Sequence, residues 1–353
     1  MPSYVSSDKY SMYLLGNVWY TTLRAGGYDQ DIKWETTTTY NAGVDLGFIN
    51  DRIVGSVDYY IRKTSDLLMW SPVPAGANLT NYIYTNVGDM QNAGWEMSVS
   101  GTPVLNKDWK WDLGVNATLN KNEVTKLSLS GDSTSKILVG PISGGVGNTC
   151  QVFKVGEPVY SFYVYQQVYD ASGMPIEGLY VDRNGDGKIN DDDRYACHSA
   201  NPDVTFGIYT TLKYKQWTLG AAGHAAFGNY VYNNVSANRG VYSNLYRSEG
   251  PYLSNVTSDV YDVNFETQQF LSDYYVQRGD YFKLDYLMLA YDFSNLIKKD
   301  FKLGLSFTVN NVFTITEYKG LDPELYLGNN NYGIDNNMYP RPRSFVFGVN
   351  FTF

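Results

Sequence analysis

The chain has 353 residues, 43% of them apolar and 18% charged, which is enough apolar matter for a buried core and argues against global disorder. Its 27 basic and 36 acidic side chains leave a formal charge of −9, which excludes the basic footprint of a nucleic-acid binder. Mean hydropathy is −0.33 and no run of 18 apolar residues occurs, so transmembrane helices are excluded, whereas transmembrane strands, polar on alternate residues, are not.

Tyr and Gly each number 33, and aromatics reach 16%. Tyr suits sheets and boundaries between water and lipid, because its ring is apolar and its hydroxyl is wet. Cys150 and Cys197 are the only cysteines. They allow one disulfide or two free thiols but no disulfide framework. The opening Met1-Pro2-Ser3-Tyr4 has neither the basic nor the apolar region of a secretory signal. The chain is therefore expected to be cytoplasmic or an internal piece of a longer protein.

In chain order, segment 10–23 is a weak strand candidate. Segments 40–48, 53–61, 95–101 and 109–119 alternate apolar and polar residues strictly, the last with Trp109, Trp111, Leu113, Val115, Ala117 and Leu119 on one face. A period of two marks a strand with two unlike faces. Segment 122–203 reads as a long connection that has room for a further hairpin near 161–170. Strands 204–214 and 217–227 follow, then 281–293, apolar on both faces apart from Lys283, Asp285 and Asp292. Strand 301–309 and a final strand ending at Phe353 complete nine confident strands and one doubtful one. No amphipathic helix of useful length is found.

No position on the apolar faces of the eight alternating segments is Asp, Glu, Lys or Arg. The opposite faces hold Asp45, Asp58, Arg62, Glu96, Lys110, Asp112, Lys213 and Lys302. A lipid-facing wall and a sandwich core both require such purity. Many segments run to ten residues or more, near the ~9–11 that membrane strands need and above the ~5–6 of soluble ones. Connections alternate between short (50–51, 104–107, 215–216, 294–300) and long (67–92, 122–203, 229–279, 314–342). That rhythm predicts periplasmic turns at one end of a barrel and extracellular loops at the other. Tyr40, Phe48, Trp95, Trp109, Tyr214, Trp217 and Phe227 sit at strand ends, as interfacial girdles or as ordinary cross-strand pairs.

The sharpest local motif runs from Asp182 to Asp193 as D-R-N-G-D-G-K-I-N-D-D-D. It fits a calcium loop: Asp182, Asn184 and Asp186 supply side chains, Lys188 its carbonyl, Asn190 a side chain or water, and Asp193 the closing carboxylate. Asp at position twelve is short and no helices flank the loop, so a solvated acidic turn is the competing reading. A structural Ca²⁺ is the expected cofactor. Cys150, Cys197 and His198 lack zinc spacing. His224 lies on a polar face and reads as a lumen residue. No nucleophile elbow, Walker or Rossmann motif occurs, and no enzymatic activity is expected. Trp70, Tyr82, Tyr84, Tyr246 and Tyr252 fall in predicted loops, as sugar-stacking residues or as loop anchors.

An ordered series of short motifs runs through the chain. It includes Ile32–Thr37, Asn41–Asp45, Asp58–Tyr60 with Lys63–Leu68, Asn86–Glu96, Asn116–Val124 and the loop 182–193. Asp280–Leu284, Asn310–Phe313, Gly320–Glu324, Tyr339–Ser344 and the terminal Phe353 follow. From about residue 30 onward this series resembles the C-terminal part of SusC/RagA-type TonB-dependent transporters of Bacteroidetes outer membranes. The resemblance implies an all-β fold, an antiparallel transmembrane β-barrel of which the chain supplies about 9–11 of 22 strands as one partial barrel domain, 1–353. It implies location in the cell outer membrane in contact with its lipid, a SusD-type surface lipoprotein, an oligosaccharide or peptide substrate, and drive from the TonB complex through an N-terminal part outside this chain. With plug, TonB box and half the strands missing, the fragment alone is not expected to transport. The competing function is a secreted, calcium-binding β-sandwich or adhesin that binds glycans; a third, an extracellular glycosidase, has no paired carboxylates to support it.

Overall fold

The computed structural model describes all residues except 1–8, 25–26, 75, 77, 79, 128–135, 146, 247–253, 294–301, 326–331 and 353. The predicted turn 294–300, Phe301, Tyr252 and Phe353 lie outside the described residues.

Segment 10–23 is a hairpin rather than one strand: Lys9–Leu15 pairs antiparallel with Val18–Arg24. Gly16 and Asn17 form its two-residue turn with φ of 55° and 62°. Both turn residues need positive φ, which Gly and Asn tolerate, so this dipeptide was the legible signal.

Nine strands then form one antiparallel sheet in strict chain order. They are β1 (Thr36–Phe48), β2 (Ile53–Pro72), β3 (Tyr82–Leu105), β4 (Trp109–Leu127), β5 (Val204–Tyr214), β6 (Trp217–Phe227), β7 (Tyr281–Asp292), β8 (Lys302–Thr316) and β9 (Ser344–Thr352). Neighbour follows neighbour throughout, as in an up-and-down barrel wall. The sheet does not close on itself; β1 and β9 are its edges.

The face that carries the apolar residues is the exposed one. Phe48 is 56% exposed, Trp95 47%, Phe347 66% and Phe351 58%. A sandwich buries this face against a second sheet, and no such layer covers it among the described residues. Cross-strand register aligns Tyr59, Trp95, Leu119, Val204 and Phe227 along one rim of this face. Trp109, Tyr214, Trp217, Tyr291 and Leu305 align along the other. Rings meet within both rims: Tyr59–Trp95 at 4.8 Å, Trp109–Tyr214 at 4.3 Å and Trp217–Tyr291 at 4.7 Å. Two residues beyond the first rim, the outward positions become Ile61, Ala93 and Lys121; two further on they are Lys63, Gln91 and Glu123. Charge therefore starts where the apolar band stops, as at the edge of an outer-membrane barrel's lipid-facing belt of about 25 Å.

On the polar face Thr102 of β3 donates across to Asp112 of β4 at 2.7 Å, and Lys110, two residues before Asp112 on the same strand, pairs with it at 2.9 Å. Tyr209 folds its ring over Gly114 on the neighbouring strand; a Cβ there would stand 2.2 Å from the ring. A glycine at this position is what allows the ring to lie flat on the wall.

Strands β2, β3 and β4 run to 20, 24 and 19 residues, much longer than their apolar bands. The predicted loop 67–92 shrinks accordingly to 73–81. Trp70, Tyr82 and Tyr84 leave the predicted loops and meet on the extended β2–β3 hairpin, Trp70–Tyr84 at 5.0 Å and Trp70–Tyr82 at 6.2 Å. Cross-strand pairing of bulky rings, worth ~0.2–1 kcal/mol each, favours continuing the ladder here.

Most of the buried core lies in the long connections; a second cluster joins Ile137, Val139 and Phe153 of a connection to Val87, Val124 and Leu127 on the extended ends of β3 and β4. Lys136–Pro141, Thr149–Lys154, Ser161–Val164 and Tyr195–Ser199 form a four-stranded sheet. Thus 161–170 does not add a barrel hairpin. Cys150, Phe162, Val164, Tyr232, Tyr275 and Ile334 pack together beside it, with Cys197 at the margin. Both cysteines are free thiols. Burial pushes the Cys197 thiol up to about 12, and raises that of Cys150 further.

Candidate functional site

A cluster of ion pairs that share partners lies on the polar face at the rim where the long connections emerge. Lys283 on β7 pairs in register with His224 on β6. The β7 ladder slips around Asp285 against both neighbours. A bulge re-aims a side chain, and here Asp285 Oδ2 reaches His224 Nδ1 at 2.8 Å. Lys283 is 3% exposed, and its Nζ donates to Asp322 Oδ1 at 2.6 Å and Glu324 Oε2 at 2.8 Å. Arg341 Nη1 donates to the same Glu324 oxygen at 2.7 Å, and His224 Nε2 lies 3.5 Å from it. Burial alone would raise the Glu324 carboxyl; the Lys283 hydrogen bond and the charges of Lys283, Arg341 and His224 outweigh it and hold the carboxyl below its ordinary value.

Asp322 and Glu324 can both reach Lys283 because Asp322 Oδ1 also accepts from Glu324 N at 2.9 Å, which folds the Asp322-Pro323-Glu324 turn onto itself. The rest of this connection is tied to the other two. Tyr318 donates to Asp335 at 2.7 Å, Lys319 to Asp262 at 3.0 Å, and Asn336 accepts from Asn234 and from Ser143 N. The connections thus form one interlaced layer over the mouth, anchored to the wall at Lys283. The sequence quoted this turn only as one motif in a series and left Lys283 as an interruption of an apolar strand. The detectable signal was a lysine in a segment otherwise apolar on both faces, since a buried lysine is rare without paired anions.

The predicted calcium loop is an ordered turn in this layer. Asp182 accepts from Gly185 N at 2.7 Å and Gly187 N at 2.8 Å. Asn184 accepts from Asp186 N, Asp186 from Lys188 N, and Asn190 from Asp192 N. Gly185 and Gly187 take φ of 73° and 79°. The buried Asp193 carboxylate accepts from Asn190 N and Arg183 N, both at 2.9 Å, and from Asn184 N at 3.4 Å. These backbone donors, Asn190 first, hold it below the usual carboxylate range, with Asp182 beside it. The loop brings Asp182 and Asp193 together, while Asp186 caps Lys188. Among the described residues, no three His, Cys, Asp or Glu side chains converge as a preformed metal cluster. The donor set is nonetheless all oxygen, and each carboxylate keeps lone pairs beyond those it shares with backbone, which fits a hard cation.

His198, near Cys197, stacks on Tyr230 at 3.8 Å and takes part in ring packing. Tyr246 is 70% exposed in the layer.

The family described as "TonB dependent receptor-like, beta-barrel" matches residues 6–312. The chain is 38% identical over its whole length to "TonB-dependent receptor SusC" of Bacteroides thetaiotaomicron, covering 35% of that protein. It is 28% identical to "TonB-dependent receptor P3" of Formosa agariphila over 92% of the chain and 35% of that protein. Among solved structures, the RagAB peptide importer in its closed-closed state superposes with a TM-score of 0.77 at 24% identity, over 99% of this chain and 39% of that chain; its open-open state gives 0.73 at 22% over 100% and 38%. The chain therefore spans about one third of the length of the relatives it matches.

Proposed function

Because the chain belongs to the TonB-dependent receptor-like β-barrel family, an outer-membrane barrel family, we propose that it forms the C-terminal wall of a transporter importing oligosaccharides or peptides. The observation that carries this reading is the exposed apolar band of the nine-stranded sheet, free of charge between its two rims and backed by a polar face with Lys110, Asp112 and the Lys283 cluster. A wall that is apolar outside and polar inside is what separates lipid from an aqueous conduit. The same exposure counts against the secreted sandwich.

In this reading residues 1–353 act as one partial barrel domain, and the loop 182–193 is an insertion in its extracellular layer. The parts of the relatives that these residues do not match complete the barrel, plug it and contact the TonB complex. A SusD-type lipoprotein caps the extracellular layer. Transport rather than catalysis is the activity assigned. The test is deletion of the gene in the source cell, followed by uptake of defined glycans and peptides. Loss of one uptake, restored by the complete gene, is expected; unchanged uptake of every substrate overturns the reading.

We infer a second feature, structural Ca²⁺ at 182–193. Its support is the donor set described above: Asp182 and Asp193 as neighbouring carboxylates, Asn184, Asp186 and Asn190 as further side-chain donors and the Lys188 carbonyl. Bound there, the ion would supply positive charge that offsets the crowded carboxylates.

A further inference from the structure

A groove of about 530 Å³ opens on the outer side of the wall, at the rim where the long connections emerge. Tyr59, Trp95 and Leu119 line its floor, and all three are outward positions in mutual register on β2, β3 and β4. Pro158 and Pro202 of the connection between β4 and β5 form its far side. That connection is pinned beside the wall: Val159 N donates to Asn122 Oδ1 at 2.8 Å, and Asn120 N to Asp203 O at 3.0 Å.

The two ends of the groove differ. Toward the bilayer the next outward positions are Val57, Met97 and Ala117, so the floor runs without a step into the charge-free band. At the other end stands Lys121, which is exposed and has no ion pair or hydrogen bond among the described residues. Neighbouring charges do not neutralise it. The Asp203 carboxylate, also at the edge of the groove, turns onto Gly228. In the next outward row Lys63 and Glu123 offset one another.

We propose that this groove binds a phosphorylated glycolipid of the outer leaflet, of the lipid A class, with an acyl chain on the floor and a phosphate on Lys121. The proposal rests on the barrel wall and not on what the protein imports. The ligand must be an amphiphile, because the groove joins lipid-facing surface to one unpaired cation. Tyr59 and Trp95 mark the boundary between lipid and water, so Lys121, one row beyond them, stands at headgroup level. A phosphate there gains a charge-assisted hydrogen bond. A small soluble anion would leave the apolar floor unused, and a peptide would bring backbone amides to the lipid boundary without partners. The side of the membrane selects the lipid. The rim with the long connections is the extracellular one, and lipid A is the phosphorylated lipid of that leaflet in an outer membrane.

The test is native mass spectrometry of the complete protein in a neutral detergent, on variants that keep the heat-resistant folded band. The probes are diphosphoryl lipid A and dioleoyl phosphatidylglycerol. Lipid A adducts are expected at a concentration at least fivefold below that needed for phosphatidylglycerol. Lys121→Ala should weaken lipid A binding about fivefold, and Lys121→Arg should retain it. Ala93→Trp places a bulky ring on the groove's lining and should weaken binding at least tenfold. Lys302→Ala, at the far end of the wall on the polar face, should change nothing. No lipid A adduct, or equal binding in wild type, Lys121→Ala and Ala93→Trp, overturns the site. An equal loss in Lys302→Ala and Lys121→Ala reduces the effect to general charge attraction and also overturns it. Phosphatidylglycerol bound as tightly as lipid A overturns the assigned class.

Discussion

Lys283 Nζ stands 2.6 Å from Asp322 Oδ1 with only 3% of the lysine exposed, so one cation on the seventh barrel strand fastens a connection that begins after the eighth. Glu324 completes the site and brings in Arg341 and His224. This small cluster therefore ties the extracellular layer to the wall at β7, as the packing of Val87, Val124 and Leu127 against Ile137, Val139 and Phe153 ties it at β3 and β4.

Removing both anions should release the layer locally. Asp322→Asn with Glu324→Gln leaves Lys283 buried and uncompensated, at a cost on the order of 3 kcal/mol, or roughly a hundredfold more of the opened state. Proteolysis of 317–343 in the complete transporter should accelerate by about that factor. Adding Lys283→Met should restore most of the protection, because the stranded charge is gone. Acceleration that persists in the triple variant would assign the effect to something other than this cation.

The same cluster predicts a pH dependence. The folded Glu324 carboxyl lies below its ordinary 4.5, so the unfolded state binds the proton more tightly. Its stabilisation is thus fully present above that ordinary value and is lost as pH falls through the depressed folded value. Protection of 317–343 should be level between pH 5 and pH 7, on the scale of ordinary carboxylate titration, and fall below about pH 4. Glu324→Gln should remove most of that fall; a fall of equal size in the variant would place the titrating group elsewhere.

Phe307 and Thr308 test the facing of β8. Phe307 is 47% exposed on the apolar face beside Phe345, and Thr308 points to the opposite side. Phe307→Arg should cost ~2–4 kcal/mol in the bilayer and reduce the heat-resistant folded band of the complete transporter in outer membranes. Thr308→Arg should leave that band close to wild type. Equal loss from both would refute the assignment of faces.

The wall was legible because its signal is local. A strict period of two in segments such as 109–119 and 204–214 fixes strand, face and neighbour at once. Two strand features were less visible. Segment 10–23 looked like one weak strand because its Gly16-Asn17 turn occupies only two residues. The extensions through Trp70 and Tyr82 break the apolar alternation, being held by cross-strand ring contacts that only pairing creates. The connections were illegible for a different reason. Their core joins Cys150, Phe162, Tyr232 and Ile334, residues far apart in sequence whose contacts carry no period. Lys283 likewise lies 39 residues from Asp322 and 41 from Glu324, so their meeting depends on tertiary placement. The loop 182–193 was legible as a motif, since its alternating Asp and Asn residues form their backbone turns within a few positions of each other.

That loop gives the last prediction, in which fold and ion must be separated. Asp193→Ala removes the acceptor for Arg183 N, Asn184 N and Asn190 N, and so should loosen the loop whether or not an ion binds. Asp186→Asn is cleaner: the amide oxygen can still accept from Lys188 N, now 2.8 Å from Asp186 Oδ1, while the charge is lost. A Ca²⁺ site should weaken about tenfold or more in Asp186→Asn, because a hard cation loses an anionic ligand. Isothermal titration of Ca²⁺ into the chelator-treated complete transporter reads this directly. Proteolysis of the loop in chelator should be the same for Asp186→Asn and wild type, and Ca²⁺ should protect the wild type more. No calorimetric Ca²⁺ binding in the wild type, or equal binding in Asp186→Asn and in Asp182→Ala combined with Asp193→Ala, would leave the loop as a self-capped acidic turn.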